Sequence, residues 1–446
     1  MPATEHWTAY EPDAEAPWDL RRVVHLHRRA GLAATWLELQ QDLKEGPAAA
    51  IDRLLKGSAN TAAPTDFAAT ADVLADTAVA AGEIGRLKAW WFYRMLFGPD
   101  PLGEKLTLLW HDHFATSNAK VGDPALMRRQ NDTLRKYARS KFGDLLNASV
   151  REPALLVFLD APANRRGHPN ENLGRELMEL FTLGIGHYSE ADVKEAARAL
   201  TGWTVDEGRF AEDRTKHDGG DKTILGKTGK WNGADLVKLL LEHPAISERL
   251  ALKLCRQFFG EKAVPPEGVK ELAAGLREHD LDIGWAVSLI LRSNLFFADA
   301  NIRTRVLSPV EYVVDTARAL GMFDPAPSTL ALADWSARMG QDVFNPPNVG
   351  GWPGGRAWVH TRGMIARANF AAAVLTGPNA GRSAAYDASV LPSRYGLGGD
   401  PADVLTFHCR LLFGIDPSDE MRRRVTGGDG RNLVATLLSS PEAQLG

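Results

Sequence analysis

Cysteine is nearly missing from this chain: Cys255 and Cys409 are the only two in 446 residues. Two thiols cannot build the dense disulfide framework of a small secreted domain, and they exclude cysteine-rich structural zinc. Blocks of like charge are missing as well, Lys+Arg 52 standing against Asp+Glu 56 for a formal net charge of −4. That balance offers neither a basic groove for nucleic acid nor a face for an anionic membrane, and it points to small or neutral partners. No uninterrupted apolar stretch is long enough to span a bilayer. The opening MPATEHWTAYEPDAEAPWDL has acids before any base and no apolar h-region, so it does not read as a secretory leader. The cytoplasm is therefore the expected location, although a precursor trimmed of its leader would read the same. P-loop, dinucleotide fingerprint and G-x-S-x-G elbow are all missing, which removes the best-marked nucleotide and hydrolase mechanisms.

Strand-like alternation is nearly absent, and what is there is helical periodicity. With 44% hydrophobic and 24% charged residues a real core is expected. The spacing predicts helices over 18–30, 35–44, 66–97, 103–115, 125–142, 144–150, 171–183, 190–201, 235–242, 245–259, 266–279, 282–291, 309–320 and 401–413. Three Gly/Pro-rich breaks interrupt them: DAPANRRGHP, the stretch 206–233, and FNPPNVGGWPGGRAW. The second break can hold a short hairpin at KTILGKTGKW. The expected fold is all-α, a large multi-helix body with long ordered loops, residues 1–385 forming the body and 386–446 a helical extension packed on it.

Polar residues are densest in HPNENLGRELMELFTLGIGHYSEADVKEAARALTGWTV, residues 168–205. Leu173, Leu177, Leu180 and Phe181 mark a buried stripe, while Asn172, Arg175, Glu176 and Glu179 share a neighbouring face at i, i+3, i+4, i+7. That polar stripe is either a solvated face with an Arg175–Glu179 pair, or a cleft where two carboxylates and a guanidinium can act as acid, base or metal ligand. Ser189 and Asp192 read as the start of the next helix, leaving a tight connection that sets His187 near the end of the first helix, as a cation on loose carbonyls or as a base. In LTLLWHDHFATS, Leu102, Leu106, Leu109 and His113 fall on one stripe, so His113 is expected to face inward and His111 elsewhere. Two residues apart on a helix, His111 and His113 are a weak metal pair unless carboxylates such as Glu176 and Glu179 arrive from another helix. Trp203, Lys222 and Trp352 lie on or beside Gly-rich loops, where aromatic rings either stack on a sugar-like ligand or anchor the loop.

PNENLGRELMELFTLGIGHYSEADVKEAARALTGW, LLWHDHFATS, HDGGDKTILGKTG and FNPPNVGGWPGGRAW, in this order, resemble the bacterial domain of unknown function 1800, from about Val24 to before Ala380. The resemblance implies a large helical protein, of a kind often exported, and carries no catalytic assignment. Two functions follow from the residues. One is a hydrolase-type enzyme with Glu176, Glu179 and His187 as catalytic groups and His111 and His113 holding a divalent metal. In it Arg175 and Lys222 bind an anionic or saccharide-like small molecule walled by Trp203 and Trp352. The other is a non-catalytic binding or assembly protein whose polar clusters are structural.

Overall fold

A computed structural model describes residues 6–60, 63–260, 264–377, 385–425 and 432–446. Helices dominate, and the strands among the described residues form two small antiparallel hairpins, one running into the long second break and the other inside it. Trp203–Asp206 pairs with Arg209–Glu212, and Lys222–Ile224 pairs with Lys227–Gly229. Each turns through two residues at positive φ, Glu207-Gly208 and Leu225-Gly226, the geometry that matches strand twist in a two-residue loop. The second hairpin is the expected one. The first was not expected, because its turn has Glu where Asn or Asp usually marks this turn type.

Several helices differ from the periodicity in instructive ways. The predicted helix over 66–97 is two, Phe67–Ala81 and Ile84–Phe97, because Gly82 adopts the left-handed conformation and caps the first. The helices Pro47–Lys56, Thr329–Arg338 and Thr361–Thr376 lie in stretches where no helix was expected. Trp203, expected on or beside a Gly-rich loop, is the first residue of a strand.

Two apolar clusters make up the core. One gathers residues from Trp7 to Phe297, the other combines Val23 and Val24 with residues from 307 onward, including Leu405, Phe407 and Leu411 of the helix Pro401–Phe413. The helices Leu20–Ala30 and Pro101–His113 contribute to both, Leu26 and Leu106 to the first and Val23 and Leu108 to the second. A helix shared by two cores has no solvent face, and every residue of Pro101–His113 except Asp112 is buried.

Cations buried with these helices are bonded to backbone carbonyls of other helices. Lys105 Nζ donates to the Arg28 and Gly31 carbonyls at 2.6 and 2.7 Å and pairs with Glu311 at 2.9 Å. Arg28 donates to the Leu412 carbonyl (2.7 Å), Arg29 to Phe258 (2.6 Å) and Arg318 to Leu96 (2.9 Å). Glu311 also pairs with Arg305, and these two cations hold its carboxyl far below the usual carboxylate range despite burial. No helix among the described residues is long and apolar enough to cross a membrane.

Removing one member of such a buried cluster strands the rest, at roughly 3–5 kcal/mol. Lys105→Met is expected to lower the unfolding free energy read from urea titration by that amount, while Arg338→Ala, which breaks an exposed pair with Asp334, leaves it within error.

Candidate functional site

Asp100 accepts the Gly103 N–H at 2.8 Å and Pro101 opens the helix, so Pro101–His113 starts at a fixed point and ends beneath the third Gly/Pro loop. The histidines at its end both face protein. His111 is 1% exposed; its Nε2 accepts the Phe344 N–H at 3.1 Å, and its ring meets Trp91 edge-on at 5.0 Å. His113 lies among Trp110, Phe114 and Phe181, its Nε2 donating to the Phe181 carbonyl at 3.1 Å. The inward position of His113 matches its stripe, whereas His111 is the more deeply buried of the two, because this helix has a second core on its other side. Burial holds both rings neutral, pushing His111 down to about 3 and His113 well below its ordinary value.

Between them stands the residue that sequence reasoning passed over. Asp112 keeps 31% of its side chain exposed; its Oδ2 lies 3.8 Å from Lys253 Nζ, and its Oδ1 accepts the Trp352 N–H at 2.9 Å. The loop backbone comes so close that a Cβ on Gly351 would stand 2.2 Å from Asp112 Oδ1, at a φ of +77 that side chains rarely adopt. His111 and Asp112 thus pin the loop at Phe344 and at Trp352 by main-chain hydrogen bonds.

The Glu-rich helix is regular only over Asn172–Glu176 and then widens into a π-helical turn, Leu177–Thr182, in which the Leu183 N–H reaches the Met178 carbonyl five residues back. Such turns recur at functional sites. The expected Arg175–Glu179 pair is not made. Arg175 pairs instead with Glu171 at 3.0 Å, in the favoured order of acid before cation, and with Glu190 at 2.8 Å. Glu179 accepts the Tyr188 hydroxyl proton at 2.7 Å, which helps push that phenol up to about 12 after burial. Glu176 is half-buried and makes no hydrogen bond or ion pair within the described residues; burial, then the charge of Glu179, pushes its carboxyl upward against the pull of Arg175.

Against this turn packs the helix Ala245–Phe259. Arg249 donates through Nη2 to the Leu180 carbonyl at 2.8 Å, and its Nη1 lies 2.6 Å from where a Cβ on Gly184, at φ +86, would sit. Burial lowers the Arg249 and Lys253 pKa values; the charges of Glu179 and Tyr188 oppose this at Arg249, and that of Asp112 opposes it at Lys253. Burial in turn raises Asp112. A continuous seam therefore runs Tyr188, Glu179, Arg249, Lys253, Asp112, Trp352. Its cationic part was legible as Arg249, Lys253 and Arg256 at i, i+4, i+7, but in the sequence that stripe looks like any solvated helix face.

Of the remaining expected site residues, His187, Trp203 and Lys222 lie apart from the seam's contacts. His187 is exposed, its ring 5.9 Å from that of His243. Trp203 is 3% exposed, edge-on to Phe210 and covered by the Arg151 guanidinium at 5.2 Å, so it serves as an anchor. Lys222, 1% exposed, donates to the Asp218 and Gly220 carbonyls at 2.5 and 3.0 Å and shapes its own loop. Trp352 is buried near His111, their rings 5.8 Å apart. Among the described residues no group of three or more His, Cys, Asp or Glu is arranged to hold a metal ion. The Nε2 atoms of His111 and His113 are engaged on the backbone.

Fold and site together define an all-helical protein in which three loop-bearing motifs meet at a charged seam. The chain belongs to the family described as protein of unknown function (DUF1800), whose family model matches residues 25–445. Neither a curated protein nor a solved structure matches it.

Gly351→Ala is expected to destabilise by about 1–3 kcal/mol, read by thermal melts, with faster proteolytic nicking of the 344–358 loop. Acid sensitivity follows from the buried imidazoles. Unfolded histidines take up protons as the pH falls through about 6.5, while folded His25, His111, His113 and His408 resist until well below that value. Stability is thus fully present above that pH and lost on acidification, by about 1.4 kcal/mol per unit for each ring. The carboxyls that burial raises, Asp315 to about 7 and Asp112, Asp132, Glu152 and Glu176 above their ordinary values, work the opposite way and offset part of this loss. The urea midpoint is expected to fall steadily from about pH 6.5 to 4.5, and His111→Asn to make that slope shallower by one proton.

Proposed function

We propose that the seam is the acid–base site of a hydrolase-type enzyme acting on a small polar molecule, with Glu176 as proton donor and Glu179 as base. The observation that carries this is the uncommitted, half-buried carboxyl of Glu176 beside a second carboxylate engaged by Tyr188. Neighbouring carboxyl groups whose surroundings differ in this way divide into an acid and a base. In hydrolysis Glu176 gives its proton to the leaving-group oxygen while Glu179 accepts one from the attacking water, so the cleaved bond gains the elements of water. Trp352 and the loop clamped by Asp112 supply a wall. His187 and a divalent metal have no part in this version, since the His187 ring stands beside His243 and the Nε2 atoms of His111 and His113 are bonded to the backbone.

A second reading, a binding or assembly protein with structural polar clusters, is favoured by the saturated pairing of other motif residues. Arg175 is held by Glu171 and Glu190, and Arg198 by Glu195 and Asp218. Because Arg175 and its partners are exposed to solvent, Arg175→Ala is expected to change stability little, not by the amount a buried pair would.

The test is a panel of chromogenic esters, glycosides and phosphate esters with wild type and Glu176→Gln. Under the enzyme reading some substrate is turned over, Glu176→Gln lowers that rate by about a hundredfold or more, and its melting temperature is unchanged or higher. A Glu176→Gln protein that melts well below wild type, or that turns over the substrate at the wild-type rate, supports the structural reading instead.

A further inference from the structure

The cationic part of the seam has donors without acceptors. Arg249, Lys253 and Arg256 follow one another on one face of the helix Ala245–Phe259. Arg249 Nε is buried and meets no acceptor, although Nη2 is engaged by Leu180. Lys253 Nζ makes no hydrogen bond among the described residues; its nearest acid is Asp112, at 3.8 Å and already accepting the Trp352 N–H through its other oxygen. Arg256 is exposed, and its guanidinium has no partner within the described residues. Glu179, the other acid of the seam, is occupied by Tyr188.

Lys253 and Arg256 differ in this from Lys105, Arg28, Arg29, Arg318, Arg175 and Arg198, whereas an idle Nε like that of Arg249 is also found on Arg28 and Arg29. Lys105, Arg28, Arg29 and Arg318 are fully buried and each is bonded to carbonyls. Arg175 and Arg198, nearer solvent, are each shared between two acids. On the Ala245–Phe259 helix three cations share one face with two carboxylates near them, Glu179 toward Arg249 and Asp112 toward Lys253, and the cations' mutual repulsion opposes the charged state of Arg249 and Lys253. An anion seated among them would accept the idle N–H groups and relieve that repulsion. The guanidinium plane of Arg249 is already held by the Leu180 carbonyl and the close approach of Gly184, so little ordering is needed on binding.

We infer that Arg249, Lys253 and Arg256 form the subsite for an oxyanion of the ligand, a phosphate or carboxylate group of a small molecule, oriented toward Asp112 and the 344–358 loop. The inference rests on the seam being a ligand site and not on the roles given to Glu176 and Glu179.

The full chain is titrated with inorganic phosphate and, separately, with acetate, sodium chloride holding ionic strength constant, and binding is read by thermal shift and calorimetry. A saturable rise in melting temperature is expected with at least one anion, the tighter arm naming the group. Lys253→Met and Arg256→Gln are each expected to raise the half-saturating concentration about tenfold or more. Lys56→Gln, on an exposed helix face where it pairs with Asp52, leaves it unchanged; binding is read without turnover, so failure of the acid–base reading does not disturb this result. Arg256 is exposed, so its variant keeps the test valid should Lys253→Met fold poorly. No saturable shift with either anion, a shift reproduced by chloride alone, or undiminished binding in Arg256→Gln overturns the inference.

Discussion

Four of the cations sealed inside this protein, Lys105, Arg28, Arg29 and Arg318, are bonded to carbonyls at the ends of helices other than their own, and the rest of the architecture depends on that. A helix C-terminus carries unsatisfied carbonyls and the negative end of the helix dipole. Lys105 meets the end of Leu20–Ala30, Arg29 the end of Ala245–Phe259, Arg28 the end of Pro401–Phe413 and Arg318 the end of Ile84–Phe97. Each bond offsets two desolvation penalties at once, that of the cation and that of the carbonyl. The apolar clusters alone would let these helices slide past one another, since dispersion is not directional. The cation–carbonyl bonds fix the register, and they fix Pro101–His113 most firmly, because its Lys105 ties together the first helix and Glu311.

That rigidity carries directly to the seam. A helix buried on all sides presents one half-exposed residue, Asp112, at its last turn, and the loop that closes over it is held through main-chain hydrogen bonds to Asp112 and His111. The Phe344 and Trp352 rings of the loop are buried beside His111 and add packing to those bonds. The contrast between saturated and unsaturated polar groups separates structure from candidate function here. Arg175 and Arg198 belong to the same polar-rich sequence as Glu176, yet they have full sets of partners.

The helical character was legible because apolar periodicity is a local property, and Ala245–Phe259 and Pro401–Phe413 fall where the spacing puts them. What the sequence does not display is which side of a helix meets a second core. On one-core logic His111 should have looked away from the interior, and Asp112 should have been unremarked; with cores on both sides the histidines go inward and the aspartate is the residue left near solvent. The π-turn was hidden for a related reason. Leu177 to Thr182 has ordinary helical periodicity, and the extra residue shows itself only in which carbonyl Leu183 chooses, a choice that also leaves Arg175 facing Glu171 and Glu190 instead of Glu179. The Glu176 and Glu179 stripe was visible, but the partnering that separates one carboxylate from the other comes from Tyr188, on the far side of a tight turn.

The two histidines flanking Asp112 make physical sense as neutral groups. A protonated imidazole at position 113 would stand in the field of Lys253 and Arg249, which already push its pKa down beyond the effect of burial. A second charge there would also require the Phe181 carbonyl and the surrounding rings to solvate it, which aromatic edges do poorly. Neutral, the same ring donates one hydrogen bond to Phe181, ties the end of Pro101–His113 to the π-turn, and adds nothing to the positive field at Lys253. His111 does the complementary task as an acceptor, binding the Phe344 N–H in a tautomer with the proton on its other nitrogen. Dipolar rings thus hold the loop and the π-turn in place, and the net charge of the seam is set by Asp112, Glu179 and the cations of one helix face.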